Sequence, residues 1–207
     1  MWYTIGHSNY SIEDFLYRLE QCGEAKVLVD IRSFPGSRMF PQYQQLRLKS
    51  VLEKHGWQYM YLGQLLGPRN HDEKAPLNRG NVQYQEVLAR ERYQEGVKAL
   101  KAIGTGGVLM AAKADPIECH RFIVLSRVMI AHGMHVQHFD GSVVCTHNEL
   151  QDKMIQKCLN RVKRRTLQPY PPMSTHDEVV EWAYHAVAEK AAKAGLKKYA
   201  EIRKRTR

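Results

Sequence analysis

Five short apolar runs, at residues 2–6, 27–31, 57–62, 108–112 and 136–139, set the tightest limit on what this chain can fold into. Each is too short for a free-standing helix. The runs at 27–31 (VLVDI) and 108–112 (VLMAA) also lack the polar–apolar alternation of a strand with one wet face. Strands of that kind belong in a sheet covered on both sides, which is most often parallel. The stretches between them carry helical spacing. Ser11 is suited to cap a helix, with Asp14 three residues on, and Ile12, Phe15, Leu16 and Leu19 then recur on one face before Cys22-Gly23 ends it. A second helix is expected over 44–55, closed by Gly56. A third is expected within 84–103. A fourth is expected over 116–132, with Phe122, Ile123, Met129 and Ile130 inward and Gly133 at its end. This alternation predicts an α/β fold, a mostly parallel sheet flanked by helices. The irregular stretch 65–81, holding Gly67, Pro68, Pro76 and Gly80, is long for a plain connection and reads as a functional loop or lid.

From Asn148 the texture changes. Leu150, Met154, Ile155 and Leu159 form a helical stripe that runs into the cluster Arg161-Val-Lys-Arg-Arg165. Residues 168–173 (QPYPPM) make a stiff connector. A last helix is expected from Ser174 or Thr175 to Ala194, with a basic tail after Gly195. The chain therefore divides into an α/β domain, 1–147, and a basic helical appendage, 148–207. Net charge is +10, and the last 48 residues hold twelve Lys/Arg against five Asp/Glu. Basicity of this kind fits nucleic acid or another polyanion as partner; a solvated basic tail accounts for it equally well. Arg161, Arg164 and Arg165 can share one helical face and are the candidate nucleic-acid contacts.

No run approaches the roughly 18 apolar residues of a membrane span, and no signal-peptide pattern is present, so a cytoplasmic protein with no membrane partner is expected. Cys22, Cys119, Cys145 and Cys158 are widely spaced, which suits reduced thiols and gives a zinc site no support. The sequence names no cofactor and no oligomeric state.

In an open α/β sheet, functional groups gather where strands end. His7 follows the first strand, Asp30 and Arg32 end the second, and Lys113, Cys119, His120 and Arg121 follow the fourth. Arg38 and Arg69, in Gly/Pro-rich loops, can join them. Together they make a cationic crevice suited to an anionic small molecule or a nucleic-acid backbone. His7, Asp30, Cys119 and His120 are the catalytic candidates. Arg32, Arg38, Arg69, Lys113 and Arg121 are the anion-binding ones. Each has a plainer reading: His7 as a histidine bonded to a neighbouring carbonyl, Asp30 as the ion-pair partner of Arg32, Cys119 as a small buried helix residue. Arg is also absent six positions after Cys119, where Leu125 stands, so the phosphatase-type spacing is missing. A metal held by His7, Asp30 and His120 has no local ligand spacing behind it.

The segments TIGHS, VLVDIRSFPGSR, YLGQLLGPR and DPIECHR together resemble the domain of unknown function 488 family, in that family's motif order, from about residue 3 to 139. The resemblance implies an α/β domain with a site around His7, Asp30, Arg32, Pro35, Arg38, Cys119, His120 and Arg121, and no settled reaction. One departure stands out. Where the family reads like Cys-Ala-Glu-Lys ahead of this last segment, this chain has Ala111-Ala112-Lys113-Ala114, so a thiol and a carboxylate are missing and the local charge is reversed. Three functional readings follow: an anion-binding protein, as an enzyme acting on a nucleotide or nucleic acid; a non-catalytic nucleic-acid-binding module that uses the C-terminal helices; and a structural or partner-binding domain with no small ligand.

Overall fold

The structure, a computed structural model, describes residues 1–68, 90–104, 106–165 and 175–205, with the backbone alone for 162–165 and 192–205. In chain order the elements are β1 (Trp2–Gly6), α1 (Ile12–Glu20), β2 (Val27–Asp30), a 3-10 turn (Pro41–Tyr43), α2 (Gln45–Lys54), β3 (Gln58–Tyr61), α3 (Gly63–Leu66), α4 (Glu91–Ile103) and β4 (Gly107–Ala111). A π-type stretch (Arg121–Ser126) then runs into α5 (Arg127–Ala131), followed by β5 (Val136–Asp140), β6 (Val143–Thr146), α6 (His147–Arg165) and α7 (His176–Arg205). The strands form one sheet in the order β3-β2-β4-β1-β5-β6. All neighbours are parallel except β5 and β6, an antiparallel pair at one edge. The fold is α/β.

Both faces of the sheet are covered, which explains the apolar strands. Leu28, Val108 and Met110 point to one side and pack with Phe15 and Leu19 of α1 and Leu48 and Leu52 of α2. Val29, Leu109 and Ala111 point to the other and meet Leu66 of α3, Tyr93 and Leu100 of α4, and Leu125 and Met129. A third cluster joins Ile117, Phe122 and Ile123 to Leu150, Met154, Ile155 and Cys158 of α6 and to Ala183, Tyr184 and Val187 of α7. The basic C-terminal segment therefore packs on the sheet domain through α6 and α7.

Four local expectations change, the smallest being Ile130, expected inward and found exposed. The helix expected from Pro116 begins at Arg121. Asp115 does cap, as its type favours, but its Oδ1 accepts from the Ile117 N–H at 2.8 Å within a separate turn, closed by the Cys119 N–H on the Pro116 carbonyl at 3.0 Å. Strand β6 is an addition: Gly141, at φ +65°, turns the chain back on β5. Helix α7 continues through Gly195 to Arg205, since one glycine inside a helix costs only about 1 kcal/mol. Residues 69–81 of the expected loop, and 84–89 of the third expected helix, lie outside the described residues.

Candidate functional site

The C-terminal ends of β1, β2 and β4 adjoin in the sheet, and the candidate residues sit just beyond them. One half of the site is a clamp. Asp30, wholly buried, accepts Arg32 Nε at 2.9 Å and Arg32 Nη2 at 2.6 Å, and takes the Tyr59 hydroxyl at 2.7 Å. The remaining donors of Arg32 reach the Tyr43 carbonyl at 2.9 Å and the Pro35 carbonyl at 3.1 Å. Arg32 is thus committed to protein acceptors and pins the loop between β2 and α2. His7 stacks on the Tyr43 ring at 4.2 Å. Its Nδ1–H donates to the Ser8 carbonyl at 2.9 Å, which leaves the Nε2 lone pair facing Arg32 Nη1 at 3.4 Å. Burial, and then the charge of Arg32, lower its pKa to about 4, so the ring is neutral. Ser8 itself lies at φ +47°, a rare conformation for a residue with a side chain.

The other half centres on Cys119, at the entry to the Arg121 helix. The Cys119 carbonyl accepts from the Phe122 and Ile123 N–H groups, and its sulfur stands 3.6 Å from His120 Nδ1. Burial pushes the thiol up. The charges of Arg121 and His120 and the bonds to the sulfur outweigh it, and the pKa falls to about 6.

Arg121 is wholly buried. Its Nη1 and Nη2 donate to the Lys113 and Ala114 carbonyls at 2.6 and 2.7 Å. Arg121 Nε and His120 Nε2 are shielded from solvent and have no hydrogen-bond partner among the described residues. Gly6 makes this arrangement possible: a Cβ there would lie 1.7 Å from the Lys113 carbonyl oxygen. The end of β1, which carries His7, and the peptide that grips Arg121 are therefore in contact, and Arg121 also lowers the His7 pKa through its charge.

The structure thus brings together His7, Asp30 and Arg32 by direct bonds, and Cys119, His120 and Arg121 beside them. Lys113 is exposed and turns its Nζ to the Glu118 carbonyl at 2.8 Å. Arg38 is exposed on the clamped loop. Arg69 lies outside the described residues, as do the side chains of Arg164 and Arg165, while Arg161 is half-buried on α6. Among the described residues no three His, Cys, Asp or Glu side chains come together as metal ligands.

Sequence reasoning missed Tyr43 and Tyr59, which hold the clamp, and a buried line behind Arg121. Thr4 Oγ1 meets His138 Nδ1 at 2.8 Å, His138 Nε2 meets His147 Nδ1 at 3.0 Å, and His147 Nε2 meets the Tyr184 hydroxyl at 2.9 Å. The one available signal was polar residues, Thr4 and His138, inside apolar strand runs.

No curated protein and no solved structure matches this chain. A family model, that of the domain of unknown function DUF488, matches residues 11–128. That span covers more than half of the chain and includes Asp30, Arg32, Cys119, His120 and Arg121, with His7 just ahead of it. The chain belongs to the DUF488 family.

Proposed function

We propose that this protein is an enzyme that uses the Cys119 thiolate against an anionic substrate, with nucleotides and nucleic acid as the substrate class. One observation carries the reading. The Arg121 guanidinium is buried with no carboxylate at ion-pair distance among the described residues; the acidic groups that feel its charge are the Cys119 thiol and, already paired with Lys157, the Asp115 carboxylate. A buried charge needs a counter-charge, and a thiolate supplies one. With a pKa of about 6 the sulfur is mostly ionised at pH 7, where an unperturbed thiol is ionised only to a few per cent. In the reaction the sulfur forms a bond to the electrophilic centre of the substrate, the bond to the leaving group breaks, and His120 delivers the proton that the leaving group takes up. Arg121 Nε and His120 Nε2, both without partners among the described residues, are the groups we assign to substrate oxygens.

The test is the rate of iodoacetamide labelling of Cys119 against pH, followed by peptide mass spectrometry. The expected midpoint is near 6, and millimolar phosphate or adenosine monophosphate should slow the labelling. A midpoint at the ordinary thiol value ends the reading. The basic excess of the last 48 residues supports a second reading, sequence-independent nucleic-acid binding by the C-terminal helices.

A further inference from the structure

The segment that carries Cys119 is gripped on both sides by the two helices that lie beyond the family match. On the near side, Lys157 of α6 reaches Asp115 Oδ2 at 3.0 Å while the other oxygen of that carboxylate holds the 116–119 turn. Lys190 of α7 pairs with Glu118. On the far side, Phe122 follows Arg121 directly, and its ring packs at 4.8 Å from that of His147 on α6 and 5.5 Å from that of Tyr184 on α7. Ile117 and Ile123 are buried among residues of the same two helices.

The hydrogen-bond line fixes this arrangement with one self-consistent set of protons. The Tyr184 hydroxyl donates to Gln151 Oε1 at 3.2 Å, so it accepts from His147 Nε2–H. His147 Nδ1 is then a lone pair that accepts from His138 Nε2–H, and His138 Nδ1 accepts from the Thr4 hydroxyl. Every member is satisfied, so the register of α6 and α7 on the sheet is specified by polar groups as well as by packing.

We infer that α6 and α7 complete the Cys119 site, with Lys157, Lys190 and Tyr184 as positioning residues that hold the sulfur, the His120 ring and the Arg121 guanidinium in their mutual geometry. The inference rests on the thiolate reading above and adds a role for the part of the chain that the family model leaves out. The three residues act through Asp115, Glu118 and Phe122, and small displacements of such supports cost a site much of its chemistry.

The experiment uses the full chain with Lys157→Met and Lys190→Met combined, and separately Tyr184→Phe, each of which keeps the apolar bulk. Lys49→Met, in the surface pair Lys49–Glu53 on α2, is the control. The readouts are the pH midpoint of Cys119 labelling and the amide hydrogen exchange of residues 115–123. The expected result is a midpoint raised by about one pH unit, equivalent to a roughly tenfold slower labelling below the midpoint. Faster exchange confined to 115–123 should accompany it, with the control unchanged on both counts. A merely structural role for the helices lowers overall stability and leaves the midpoint where it is, and an unmoved midpoint in the folded variants overturns the inference. If the double variant does not fold, Tyr184→Phe and Lys190→Met alone carry the test. A wild-type midpoint at the ordinary thiol value overturns the thiolate reading instead. The exchange data then decide whether the helices position the segment, and unchanged exchange overturns that too.

Discussion

Gly6 and Asp30 hold much of the candidate site together, through a close backbone approach and a buried ion pair. A methyl group at Gly6 would overlap the Lys113 carbonyl oxygen, and backbone can yield only by moving the peptide that grips Arg121. Gly6→Ala should therefore lose a few kcal/mol of stability and also move the labelling midpoint of Cys119 upward. Urea unfolding and thiol titration on the same sample check both. Asp30→Asn tests the clamp. It leaves the Arg32 guanidinium buried against uncharged acceptors alone, and removing one partner of a buried pair costs about 3–5 kcal/mol. The urea midpoint should fall accordingly. A loss within a few tenths of a kcal/mol would show that Tyr43 and Pro35 suffice to hold Arg32. Asp30 and Arg32 were readable as a pair from their spacing. The commitment of all Arg32 donors was not, because Tyr43 and Pro35 approach only once the loop has closed.

At the scale of elements, the line from β1 through β5 to α6 and α7 makes stability depend on pH. Burial, and then the charge of His147, lower the His138 pKa to about 2; burial, and then the charge of Arg127, lower that of His147 to about 4. Both rings are neutral in the fold, whereas in the unfolded chain they take up protons below about 6.5. A depressed histidine pKa therefore gives full stability above 6.5, which is lost as pH falls toward 4 for His147 and toward 2 for His138. The slope is at most about 1.4 kcal/mol per pH unit for each histidine. His7 adds to it in the same sense. Urea midpoints taken between pH 7 and pH 5 should fall with pH, and His147→Gln should reduce the slope whatever it does to stability at pH 7. An undiminished slope in that variant would assign the acid sensitivity elsewhere. The π-type stretch at Arg121–Ser126 belongs to the same scale: the Ser126 hydroxyl donates to the Arg121 carbonyl at 2.5 Å. Its start had been expected five residues earlier, because the Asp-Pro pair signals a helix and cannot by itself show that the first turn closes separately.

At the scale of the whole molecule, the basic excess is carried by the two helices that cover the Cys119 segment. Sequence-independent binding to DNA or RNA is expected with a dissociation constant on the order of 10⁻⁴–10⁻⁶ M at physiological salt, weakening steeply as salt rises. Replacing Arg161, Arg164 and Arg165 together should flatten that salt dependence, as measured by fluorescence anisotropy with a labelled oligonucleotide. Binding that is insensitive to salt, or unchanged in the triple variant, would assign these arginines to solubility or packing.

The sequence by itself determined the α/β class and the position of five of the six strands at or near their observed bounds, and it pointed to His7, Asp30, Arg32 and the 113–121 segment at the strand ends. These follow from local patterning: apolar runs, helical spacing and the rule that sites lie at strand ends. Only the tertiary structure decided what each group faces. It placed the Arg121 guanidinium on two backbone carbonyls, left its Nε without a partner among the described residues, and set the Cys119 sulfur among groups that lower its pKa. It also joined Thr4, His138, His147 and Tyr184, which are far apart in the chain, into one line. Such relations arise from burial and from contacts between distant segments, and neither composition nor periodicity encodes which polar atoms will meet once water is excluded.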